Sequence, residues 1–229
     1  MSRPKIGILG CDAIRNEIEI VTANDPDVVY REYLEFGLHL HPDDLKNTIM
    51  RKLESLPVEV DALFLGYGYC QALKDIPKMT SIPLVMLEFE DCIAALITTE
   101  KYHHEKNNGG ITWFYPAGWA VNGMPGMIRL FNLDCKAVEG YAPEYFLKMM
   151  FDGFSRCLFI DTGIECAEQC RKNSEDFGRI LHLKHECIQG SLDLIRDAWI
   201  RTKTKAGETE RTRGFADKKV DNSTQEWKN

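Results

Sequence analysis

No apolar run in this 229-residue chain approaches the ~20 residues of a membrane span. A net positive charge is missing as well. The formal charge of −7 disfavours broad electrostatic attraction to nucleic acid or to an anionic membrane surface. The opening residues run from Arg3-Pro4-Lys5 into an apolar stretch that is too brief and too soon interrupted for a secretory signal. These absences lead to the expectation of a soluble, cytoplasmic protein with no nucleic-acid and no membrane partner. Familiar catalytic signatures are absent too. Gly7-Ile8-Leu9-Gly10-Cys11 lacks the GxGxxG spacing of a dinucleotide fold. There is no Walker loop, no Gly-x-Ser-x-Gly elbow and no CxxC pair.

What is present is a large apolar fraction, 44%, and eight cysteines. In a reducing compartment structural disulfides are rare. Each cysteine is then a buried filler, a metal ligand or a reactive thiol.

Apolar runs bounded by turn residues alternate with stretches of helical period. Strands are expected at Lys5–Leu9, Val28–Tyr33, Val60–Leu65, Pro83–Leu87, Ile111–Tyr115, Cys157–Ile160 and Ile180–Leu183. Helices are expected at Ala13–Thr22 (with Glu17 and Glu19 on its outer side), from Pro42 to Leu56, and at Ile93–Lys101, Pro143–Phe154, Glu165–Phe177 and Ser191–Trp199. This alternation predicts an α/β fold: three-layer, Rossmann-like, with a mostly parallel sheet flanked by helices. Residues 1–201 read as one domain with a cysteine-lined ligand edge. From 202 to 229 the chain is polar and reads as a disordered tail.

Cys11, Cys70 and Cys92 each follow one of the predicted strands. Ligands bind at the carboxyl ends of the strands in open parallel sheets. Three thiolates there would suit zinc or an Fe–S cluster; three buried fillers would also fit. His39 and His41 in "LHLHP", and Asp91 beside Cys92, are fourth-ligand candidates. His41 and Asp91 are preferred, although Asp91 would serve equally as a helix cap. In "LFLGYGYC", Gly66 and Gly68 allow a turn or a close approach next to Tyr67. Trp113, Tyr115 and Trp119, with Tyr67 and Tyr69, could wall a pocket for a flat or methylated ligand, or simply form an aromatic core edge. Cys166 and Cys170 share a helix face, followed by His182, His185 and Cys187. Core packing is the preferred reading of that set. Cys135 and Cys157 read as ordinary interior residues.

"ILGCDAIRNEIE" (Ile8–Glu19), "LHLHP" (Leu38–Pro42), "DALFLGYGYC" (Asp61–Cys70), "EDCIAAL" (Glu90–Leu96), "GGITWFYPAGW" (Gly109–Trp119) and "FIDTG" (Phe159–Gly163) together resemble a family of unknown function, DUF1638. The resemblance implies that its three shared cysteines map to Cys11, Cys70 and Cys92. Members are typical of anaerobes and often accompany corrinoid-dependent methyl transfer. That implies service to a corrinoid protein or methyltransferase as partner, with a corrinoid reached through it. Two departures stand out. Gln71 replaces the usual glycine after the second cysteine, and a polar tail replaces a final strand. The leading expectation is a three-cysteine metal site serving methyl transfer or one-carbon metabolism. A metal-free cysteine enzyme and a non-catalytic binding module are the rivals.

Overall fold

The computed structural model describes residues 3–69, 72–108, 110–134 and 140–225. The first four strands are β1 (Ile6–Cys11), β2 (Val28–Leu34), β3 (Ala62–Gly68) and β4 (Leu84–Leu87). They form a parallel sheet in the order β2-β1-β3-β4. β1, β3 and β4 are buried along their whole length, as expected of strands covered on both faces. A second parallel sheet holds β5 (Thr112–Pro116), β6 (Arg156–Asp161) and β7 (Lys184–Gln189), in that order. The expected three-layer α/β class is therefore present, with its strands divided between two helix-flanked parallel sheets.

The helices around the first sheet are α1 (Arg15–Val21), α2 (Pro42–Glu54), α3 (Ile76–Met79), α4 (Ala94–Ile97) and α5 (Thr99–Asn108). α2 buries Leu45, Ile49 and Leu53, the stripe its sequence period predicts. From β1 the chain steps outward to β2, then returns past β1 to β3. This reversal places α1 and α2 on opposite faces under the right-handed crossover rule. It also makes the gap between β1 and β3 the topological switch point, the usual ligand crevice. α6 (Ala117–Ala120), α7 (Gly123–Leu130), α8 (Pro143–Met150) and α9 (Ala167–Leu181) belong with the second sheet, and α10 (Asp193–Gln225) returns to pack across β3 and β4.

Several expected boundaries differ. The helix foreseen at Ile93–Lys101 is two helices, because Thr98 takes φ 72°. The strand foreseen at Ile180–Leu183 is instead the end of α9. His182 caps that helix in the left-handed conformation and β7 starts at Lys184. The tail expected to begin at Thr202 continues α10, which runs to Gln225. Its first part is anchored to the fold. Ala198, Thr202, Ala206 and Glu210 are buried, each four residues after the last and so on one helix face. Lys203 pairs with Asp25 at 2.7 Å and Asp27 at 3.1 Å. Small residues let the helix lie close to the sheet while adding little to an apolar count. Among the described residues, no helix is long and apolar enough to cross a membrane.

Glu17 joins the two sheets. It was expected on the outer side of α1, yet it is fully buried. Its Oε1 accepts hydrogen bonds from the Gly118 N–H at 2.8 Å and the Thr162 hydroxyl at 3.0 Å. Asn16 Nδ2 donates to the Gly118 carbonyl at 2.9 Å. Gly118 needs to be glycine, because a Cβ there would run into the Glu17 carboxyl. Burial raises the Glu17 pKa, opposed by the hydrogen bonds from Gly118 and Thr162.

Two outcomes are expected. Truncation after Arg201 removes the buried Thr202 and Ala206 and the Lys203 pairs. It should lower unfolding free energy by on the order of 2 kcal/mol or more, read by urea denaturation; an unchanged midpoint would show that this part of α10 contributes no stability. Because the folded-state pKa of Glu17 is raised, its stabilising contribution is complete below the unfolded carboxylate value of about 4.3 and declines as pH climbs toward the folded value. The stability of wild type relative to Glu17→Gln should accordingly fall over that window. Parallel pH profiles would mean that the carboxyl ionises as easily in the fold as in the unfolded chain.

Candidate functional site

Cys11 is the last residue of β1 and is fully buried. Cys92 follows β4 in the loop that leads into α4, and it is buried as well. Both lie at the carboxyl edge of the first sheet, near enough that each thiol shifts the pKa of the other. His39 comes from the 3-10 turn Phe36–Leu40, just beyond β2. Its Nε2 lies 3.2 Å from the Cys11 sulfur. Three separate strand ends thus deliver two thiols and an imidazole to one place. Cys11 and Cys92, from two different strand ends, lie together here. Cys70, the third expected thiol, lies outside the described residues.

The fourth-ligand expectations need correction. His41 is exposed and stands at the N-cap of α2. Pro42 begins the helix at its first position, which carries the preceding residue out toward solvent. His39, one turn earlier, is the histidine that reaches the site. Asp91 is at the site but engaged. Its Oδ1 accepts the Ile93 N–H at 2.8 Å and its Oδ2 accepts the Tyr102 hydroxyl at 3.4 Å. It acts on the cluster through its charge, which helps to raise the pKa of His39.

The electrostatics separate the two thiols. The hydrogen bond from Cys92 lowers the pKa of Cys11; burial opposes this, and the His39 hydrogen bond and charge add to the lowering. Cys92 moves the other way. As donor to Cys11 it is held in the thiol form, and burial and the Asp91 charge push it further up. For His39, burial disfavours the charged ring, but contact with Cys11 and the charges of Cys11 and Asp91 win, so its pKa rises. The arrangement favours charge on Cys11 and on His39 and disfavours it on Cys92.

Two glycines make this edge possible. Gly66 and Gly68 belong to β3 itself rather than to a turn after it. A Cβ on Gly66 would sit 2.5 Å from Ile18 Cδ1, so glycine lets α1 pack close to the sheet. A Cβ on Gly68 would lie 2.6 Å from the Phe89 carbonyl oxygen and 3.0 Å from the Asp91 backbone. Gly68 therefore sets how closely the Cys92 loop approaches β3. Between them Tyr67 is 1% exposed, and its ring stacks on His39 at 5.7 Å. Its hydroxyl is buried with no hydrogen-bond partner among the described residues. Burial and the charges of Cys11, Cys92 and Asp12 keep that phenol protonated.

Beside the thiols a cleft of about 350 Å³ opens between the two sheets. Phe36, Trp113, Phe114, Trp119 and Phe154 supply its aromatic wall, with His39, Asp91 and Cys92 at its polar end. Trp113 and Trp119 thus both line this cleft. Tyr115 is fully buried in the second core, and Tyr69 is exposed beside α10 at a different cleft. Phe36 was not singled out from sequence; its ring lies tilted against Trp119 at 4.5 Å and stacks on His39 at 5.1 Å. Its only advance signal was its position three residues before His39.

A family model for a protein of unknown function, DUF1638, matches residues 33–199. The chain belongs to this family. The matched span of DUF1638 includes His39, Cys70, Cys92 and the aromatic strand β5, while Cys11 precedes it. No curated protein and no solved structure matches the chain.

The donor set at this edge is chemically suited to a soft metal ion. Among the described residues, no group of three or more His, Cys, Asp or Glu side chains is already spaced as a metal cage. Gly68→Ala tests how tightly the edge is built. The added methyl should displace the Phe89–Cys92 loop and lower stability by about 1–3 kcal/mol. It should also slow the reaction of Cys11 with iodoacetamide, because Cys92 no longer donates to it. Unchanged Cys11 reactivity would show that the loop position does not control the thiol.

Proposed function

We propose that the carboxyl edge of the first sheet is a soft-metal site, with Cys11, Cys92 and His39 as donors and Cys70, two residues beyond Gly68 in the chain, as a fourth. The observation that carries this reading is the meeting of Cys11, Cys92 and His39 from three separate strand ends at the switch point. Soft thiolate and imidazole donors suit zinc, and thiolates suit an Fe–S cluster. When bound, zinc would act as a Lewis acid on a substrate thiol, whereas a cluster would carry electrons. The chain's own residues do the rest. Cys11 gives up its proton more readily than an ordinary thiol, Tyr67 offers an unused buried hydroxyl, and the aromatic wall excludes water from an apolar substrate group. Methyl transfer in partnership with a corrinoid protein follows from the family resemblance; a cleft walled by aromatic faces is compatible with a methyl-bearing ligand.

A second reading, metal-free thiol chemistry, is favoured by the 3.2 Å Cys11–His39 contact. Cys11 would be the nucleophile and His39 the group that holds it as thiolate.

Metal analysis and absorption spectroscopy on protein purified without oxygen separate the two. The metal reading expects near-stoichiometric zinc, or iron with sulfide. That content should be lost in Cys11→Ala, Cys70→Ala, Cys92→Ala and His39→Ala, and retained in Cys187→Ala. Protein that stays metal-free after reconstitution would refute it. A single fast thiol at Cys11 would then support the second reading. Its alkylation should titrate below the usual cysteine value of about 8.5 and shift upward in His39→Ala.

A further inference from the structure

A second pair of sulfurs lies on the other sheet, away from the site just described. Cys166 and Cys170 stand at the start of α9, with their sulfur atoms 3.3 Å apart. Cys166 is the N-cap residue, with φ −96° and ψ 22°, outside the helical rotamer restrictions of the residues that follow. Its carbonyl accepts the Cys170 N–H at 2.9 Å, which closes a single helical turn between the two. One turn of helix separates Cα atoms by about 6 Å, within the range a disulfide spans. The two thiols differ in access. Cys170 is fully buried. Cys166 is partly exposed and lines a surface cleft of about 390 Å³ with Glu165, Glu168, Gln169 and Lys172. Cys187 and His182 were grouped with this pair on sequence, but both are exposed; His182 caps the far end of α9, and Cys187 lies on β7 opposite Phe159. His185 is committed elsewhere, with its Nε2 2.8 Å from the Ser174 hydroxyl.

We propose that Cys166 and Cys170 are a reversible dithiol–disulfide pair, oxidised by a low-molecular-weight disulfide that enters the Cys166 cleft. The Cys166 thiolate attacks one sulfur of that disulfide. The disulfide's S–S bond breaks, one thiolate leaves, and Cys166 holds a mixed disulfide. Cys170 then loses its proton to solvent, attacks the Cys166 sulfur and expels the second thiol. In total, two protein thiols are oxidised to one disulfide and the entering disulfide is reduced to two thiols. Division of labour follows from access: the partly exposed sulfur meets the oxidant, and the buried one resolves the adduct. Burial, the Cys166 contact and the charges of Glu17 and Asp161 push Cys170 up to about 12, so the closing step should quicken as pH rises.

The test uses the reduced full chain, incubated with oxidised glutathione, then alkylated and digested with trypsin. Cys157, Cys166 and Cys170 share one tryptic peptide, Cys157–Arg171. The proposal expects that peptide to lose two hydrogens, with fragmentation placing the bond between Cys166 and Cys170 and the alkyl group on Cys157. Dithiothreitol should reverse the change. Cys170→Ser should stop at a glutathione adduct on Cys166, and Cys166→Ser should take up no glutathione at Cys170. A wild-type adduct on Cys166 that never closes, a bond to Cys157, or three thiols left fully alkylated would each overturn the proposal. The wild-type map decides the matter even where a variant fails to fold.

Discussion

A buried carboxyl group helps to join the two halves of this protein, next to the Asn16–Gly118 hydrogen bond. Glu17 leaves α1 of the first sheet and is gripped by a backbone N–H at the start of α6 and by a hydroxyl after β6, both from the second. Burying a carboxyl is costly unless it is hydrogen-bonded or neutral. The raised pKa of Glu17 reflects that cost. The interaction depends on direction as well as strength, because Gly118 leaves room for the carboxyl and for nothing larger. With that contact in place, the aromatic residues of β5 and α6 face the carboxyl edge of the first sheet. The Phe36–Trp119 ring contact at 4.5 Å bridges the same two halves, and Phe36 in turn stacks on His39.

On this frame the sulfur chemistry divides into two environments. At the first edge the thiols are made unequal by their neighbours: Cys92 and His39 stabilise charge on Cys11, while Asp91 opposes charge on Cys92. At the start of α9, burial and the Cys166 contact, with the charges of Glu17 and Asp161 added, hold Cys170 as a thiol. One residue type thus occurs in two opposite electrostatic settings within one chain. Local charge and access separate a ligand or nucleophile from a resolving thiol.

Much of this was legible from residues alone. Apolar runs marked β1, β3 and β4, and their ends pointed to Cys11 and Cys92, because strand period and the ligand-edge rule are local in sequence. Other features were hidden. His41 was preferred to His39, since the choice depends on where α2 begins relative to a turn. Glu17 looked like a surface residue, since a charged side chain on a short helix normally faces water. The continuation of α10 past Thr202 was masked by its polar composition, although Ala198, Thr202 and Ala206 repeat at helical spacing. Small residues bury little area each, so the contact they make depends on the sheet beneath them.

The sequence by itself therefore determined the α/β class, the parallel order of local units and the strand ends that carry cysteine. Only the tertiary structure decided that the strands form two sheets, that His39 and Cys92 meet Cys11, and that an aromatic cleft opens beside them. The physical reason is one of range. Periodicity and turn chemistry act over a few residues. The Glu17–Gly118 contact joins positions about a hundred residues apart, and no local pattern encodes its partner.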